Sequence, residues 1–64
     1  MNLNIDTGTV TVLNGTHGEI VRYIGSGIWS VRYMQGNNTF VLSFRTSEID
    51  FNGQDRTYLE RKYR

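Results

Sequence analysis

Large apolar residues alternate with smaller or polar ones in two stretches that mirror each other, Trp29-Ser30-Val31-Arg32-Tyr33 and Phe40-Val41-Leu42-Ser43-Phe44. A period of two is the pattern of a strand with one buried face. Gln35-Gly36-Asn37-Asn38 between them is a turn-forming cluster. Folding back symmetrically at that turn sets Tyr33 opposite Phe40, Val31 opposite Leu42 and Trp29 opposite Phe44. All six apolar groups then share one surface. A slip of one residue would turn the apolar set of one strand to the wrong face, so the register is well specified.

The flanking segments extend this pattern. Thr9-Val10-Thr11-Val12-Leu13 predicts a first strand with Val10 and Val12 on one side, and residues 14–18 a glycine-containing loop. Residues 19–24 predict a second strand. A three-residue Gly25-Ser26-Gly27 turn with a bulge would set Tyr23 opposite Trp29 and Val21 opposite Val31. Strands over 28–34 and 39–45 follow, then a one-turn break at Thr46-Ser47 and a short fifth strand over 48–51. Asn52-Gly53 ends the compact part. From Asp55, as N-cap, a short helix with Tyr58, Leu59 and Tyr63 on a partial apolar side is either docked or frayed. The expected organisation is an N-terminal segment (1–8), a body (9–51) and a basic tail (52–64). The expected fold is all-β: a small five-stranded barrel whose closure removes exposed edges.

Composition narrows the setting. A chain of 64 residues is near the lower size limit for independent folding, and without Cys it has no disulfides or thiolate metal sites. So small a core leaves weak self-association or a permanent partner open. No run is apolar enough to insert in a membrane, and Met1 to Asp6 lacks the basic start and apolar core of a signal peptide, so a cytoplasmic protein is expected. The net charge of +1 conceals an asymmetry. Residues 1–54 carry Arg22, Arg32 and Arg45 against Asp6, Glu19, Glu48 and Asp50, a net of −1. Residues 55–64 carry Arg56, Arg61, Lys62 and Arg64 against Asp55 and Glu60, a net of +2.

The spacing Val10-x-Val12, Gly18-x-Ile20-Val21, Trp29-x-Val31-x-Tyr33, Phe40 through Phe44 and Ser47-Glu48-Ile49 resembles that of the SH3-like barrels. Within that superfold, Phe44-Arg45-Thr46-Ser47-Glu48-Ile49-Asp50 is similar to the closing segment of the E-type accessory subunit of photosystem I and of the S subunit of the photosynthetic NAD(P)H dehydrogenase-like complex. The likeness covers roughly residues 9–51 and implies an accessory role near ferredoxin or its electron-donating complex. The glycine–valine opening also resembles the KOW motif, which implies RNA or DNA binding, although the 14–18 loop lacks the Lys or Arg of loops that touch RNA.

Nothing in the chain assembles a catalytic set. His17 sits between glycines with no Cys or second His to share a metal and no Ser–acid pair, and reads as a solvated loop histidine. No enzyme activity, cofactor or metal is expected. Tyr23, Trp29, Tyr33, Phe40 and Phe44 fall on the inner surface and read as core rather than as a base-stacking platform, with Tyr33 and Tyr23 the rim candidates.

The opposite face carries the leading functional expectation. In the predicted phase its positions include Ile20, Arg22, Ile24, Ile28, Arg32, Met34, Val41 and Arg45. Arg22, Ser30 and Ser43 form one row, Arg32 lies beside Val41, and Arg45 beside Ile28. Arginine among apolar groups has the composition of an interface, so Arg22, Ile28, Arg32, Met34, Val41 and Arg45 are the candidate contacts for an acidic partner protein. A nucleic-acid reading would use Arg32, Tyr33, Arg56, Arg61, Lys62 and Arg64. A small viral or mobile-element protein that blocks a host factor is a third reading, with no residue assigned to it.

Overall fold

The computed structural model describes residues 7–64, so the expected N-terminal segment 1–8 lies outside the described residues except for Thr7 and Gly8. Four antiparallel strands form one sheet in sequence order: β1 (Thr9–Val12), β2 (Thr16–Gly25), β3 (Ile28–Gln35) and β4 (Asn38–Arg45). A single 3-10 turn (Thr46–Glu48) follows, and a short helix, α1 (Arg56–Lys62), ends the chain.

The β3–β4 hairpin has the register its pattern dictates, with Trp29 opposite Phe44, Val31 opposite Leu42 and Tyr33 opposite Phe40. Its two-residue turn, closed by Gln35 and Asn38, places Gly36 at φ 61°, the positive angle that the first central residue of a type II′ turn requires.

The second strand departs from expectation. Ile20, not Val21, lies opposite Val31, and the next pair is Arg22 with Ser30, so Val21 is an extra, bulged residue. The bulge moves Ile20 into the core and leaves Val21 45% exposed. It also turns Glu19 outward, opposite Arg32. Without it, the phase of Tyr23 would carry Glu19 onto the buried face, where an unpaired carboxylate is costly. A second irregularity, at Ile24, leads into a two-residue turn at Ser26-Gly27 in place of the expected three-residue one; both residues have positive φ. β2 also begins earlier than expected, because Thr16, His17 and Gly18 pair with Val12, Thr11 and Val10.

The inner face holds one core: Val10, Val12, Ile20, Trp29, Val31, Tyr33, Phe44, Ile49 and Leu59. Trp29 is fully buried, lies 4.4 Å from Tyr23 and 5.1 Å from Phe51 between ring centroids, and donates its indole N–H to Thr46 Oγ1 at 2.9 Å. Gly18 is needed where it stands, since a Cβ there would lie 2.8 Å from the Arg32 carbonyl oxygen and 2.9 Å from Val31 Cγ1. The tail is docked. Asp55 caps the helix through Thr57 and Tyr58, Leu59 is fully buried, and the Tyr63 carbonyl accepts the Tyr23 N–H.

The five-stranded closed barrel is corrected: the described residues form four strands, and the sheet stays open. The expected fifth strand is reduced to one bridge, in which Thr11 and Asp50 exchange both backbone hydrogen bonds at 2.9 Å. Asn52 and Gly53, at φ 56° and 81°, then turn the chain away before pairing can extend. Gln54 and Asn52 complete the cover of β1 by side chain, both donating to the Thr9 carbonyl. Among the described residues no strand covers the inner side of β4, so Phe40 and Leu42 stay 38% and 48% exposed although they face inward.

Candidate protein-docking face

The outer face of β2–β4 is built by the residues that alternate with the core. The register places Arg22 opposite Ser30, Ser30 opposite Ser43, Arg32 opposite Val41 and Ile28 opposite Arg45. Arg22, Arg32 and Arg45 are exposed on this face and Ile28 is half-buried. Met34 and Val41 are 60% and 53% exposed, the most open large apolar side chains among the described residues. Three arginines thus sit among apolar groups that water does not favour.

Two findings revise the expected composition of the face. Ile20 has left it for the core, and Glu19 has joined it. Glu19 Oε1 accepts a hydrogen bond from Arg32 Nη2 at 3.2 Å, with both side chains more than half exposed. Such a pair contributes little to stability, and both side chains line a shallow depression of about 310 Å³ together with His17, Met34 and Thr39 among others. His17 is not in a loop: it is the second residue of β2, and its Nδ1 lies 3.3 Å from Thr11 Oγ1. Arg45 is near a second acid, since its backbone N–H donates to Glu48 Oε1 at 2.8 Å.

Arg32 and Tyr33, which the nucleic-acid reading would use together, lie on opposite faces of β3. Tyr33 is 5% exposed, stacked on Phe40 at 5.6 Å and edge-on to Phe44 at 6.1 Å, on the face opposite Arg32. Tyr33 therefore belongs to the core, as its place on the inner face implies, and does not reach the rim. Of the tail cations, Arg56 lies 3.7 Å from Glu60, one helical turn on. The Lys62 ammonium sits over the rings of Tyr58 and Tyr63 at 5.9 and 5.3 Å. Arg61 and Lys62 occupy the last turn of α1, where cations complement the helix dipole. Arg61 and Arg64 are exposed.

Among the described residues no three His, Asp or Glu side chains cluster as metal ligands, and no helix is long and apolar enough to cross a membrane. No protein-family model, curated protein or solved structure matches the chain.

The sequence pattern missed Glu19. The usable signal was its own charge, because a phase that buries a glutamate is worse than one that admits a bulge.

Proposed function

We propose that this chain is a non-catalytic docking module, an accessory subunit that binds an acidic partner protein through Arg22, Ile28, Arg32, Met34, Val41 and Arg45. The observation that carries the reading is the joint exposure of three arginines with Met34 and Val41 on one sheet face whose strands hold a single acid, Glu19. Arginine steers an acidic surface and fixes its orientation, while the apolar groups supply the desolvated contact. The likeness of Phe44 to Asp50 to the photosynthetic accessory subunits selects ferredoxin as the first partner to try.

Ferredoxin affinity should fall at least about tenfold, or about 1.4 kcal/mol, in an Arg22→Glu/Arg45→Glu double variant. These two arginines are exposed, so the fold should survive, and a heteronuclear spectrum checks that it does. Affinity equal to that of the unaltered protein would remove the outer face from the interaction. Binding of single-stranded RNA that weakens steeply with salt and disappears on neutralising Arg61, Lys62 and Arg64 would favour the nucleic-acid reading instead.

A further inference from the structure

The edges of this sheet are treated unequally. The outer edge of β1 is covered by the Asp50 bridge and by the Asn52 and Gln54 amides. The part of β2 that runs beyond β1 is covered by the Gly8 and Tyr63 carbonyls, which accept the N–H groups of Ile20 and Tyr23. Among the described residues nothing covers β4. Because Gln35 and Asn38 close a two-residue hairpin, residues 38, 40, 42 and 44 bond to β3, and the N–H and C=O groups of Thr39, Val41 and Ser43 point outward. The strand from Asn38 to Phe44 has no charge, no proline and no glycine. Among the described residues, the devices against edge pairing are confined to the end of the strand, at Arg45. Apolar side chains are exposed on both its faces, Phe40 and Leu42 on one and Val41 on the other.

We infer that β4 pairs antiparallel with β4 of a second copy of this chain, about a two-fold axis at Val41, to give a continuous eight-stranded sheet. The sequence is self-complementary in that register. Val41 meets its own copy, Thr39 meets Ser43, and Phe40 meets Leu42 on the inner face, in the pairs whose side chains approach most closely. The outward groups are those of odd-numbered residues, so the axis lies at a residue and not between two. Moving it to Leu42 would draw in Arg45, whose N–H is already held by Glu48. With the axis at Val41, Arg45 faces the uncharged Asn37. A two-fold pairing through one free edge closes at two copies, because the β1 edge is covered in each. The inference shares Val41 with the outer-face reading but rests on the strand's free edge, and its test contains no partner protein, so either can fail alone.

Sedimentation over a concentration series from about 1 µM to about 1 mM spans the dissociation range of an interface below standard size. The full chain should pass from monomer to dimer within it. Val41→Lys sets two like charges directly opposite and should raise the dissociation constant at least about tenfold. The chain has no native cysteine, so single thiols report the register. Paired Cα atoms about 5.5 Å apart suit a disulfide, so Val41→Cys should cross-link on mild oxidation. Thr39→Cys should not, because its copy lies about four residues, or about 14 Å, along the strand. A monomer throughout the series, growth beyond two copies, a dimer indifferent to Val41→Lys, or equal cross-linking at both thiol positions would each overturn the inference.

Discussion

Replacing Leu59 by Ala separates a docked C-terminal helix from a solvated basic tail. Leu59 is the single buried residue of α1 and has no exposed surface. Removing three buried carbons loses about 2.4 kcal/mol of transfer free energy at about 0.8 kcal/mol each. The residual cavity brings the cost of a Leu→Ala change to about 2–5 kcal/mol. A 64-residue domain has about 3–10 kcal/mol of total stability at about 0.05–0.15 kcal/mol per residue. The substitution therefore removes a large share of it. A loss of about 3 kcal/mol lowers Tm by about 12–24 °C in a domain of this size. Trp29, the single tryptophan, sits in the same core and reports the transition by fluorescence, with circular dichroism as the second probe. Thr57→Ala, exposed in the first turn of α1, is the control and should stay within about 0.5 kcal/mol. A Leu59→Ala protein that melts with the control would show that α1 contributes nothing to the fold.

Other substitutions read the strands. Gly18→Ala forces a Cβ to within 2.8 Å of the Arg32 carbonyl, and the β2–β3 pairing must shift to admit it. A loss of about 1–3 kcal/mol in urea unfolding is expected, and a neutral result would mean that the strands are not so close. Ser26→Gly should have the opposite sign. Ser26 stands at φ 54° and is exposed, so left-handed backbone strain is relieved with little burial lost. The expected gain is about 1 kcal/mol in the same assay.

The β3–β4 register could be read because strict alternation and a two-residue turn leave one phase for each strand. β2 could not be phased the same way. Ile20 and Val21 are both β-branched, so either can stand in the core, and the bulge that selects Ile20 exists only through pairing with β3. The fifth strand failed for a different reason. Residues 48–51 have strand-like composition, but the Thr46–Glu48 turn and the positive φ of Asn52 leave room for a single bridge. Phe40 and Leu42 show what alternation omits: it assigns them to the inner face and says nothing about whether a layer covers it. For the candidate site, the placement of Arg22, Arg32, Met34, Val41 and Arg45 on one face was legible, since it depends on β3, β4 and the part of β2 beyond the bulge. The arrival of Glu19 beside Arg32 was not, because it lies on the other side of Val21.

Amide shift mapping of the labelled chain, titrated in parallel with ferredoxin and with single-stranded RNA, decides whether an acidic protein docks on the outer face of β2–β4 as proposed. The predicted result is that ferredoxin moves the signals of Arg22, Arg32, Met34 and Arg45 and leaves those of α1 in place. Shifts confined to α1, or seen with RNA and not with ferredoxin, would contradict it.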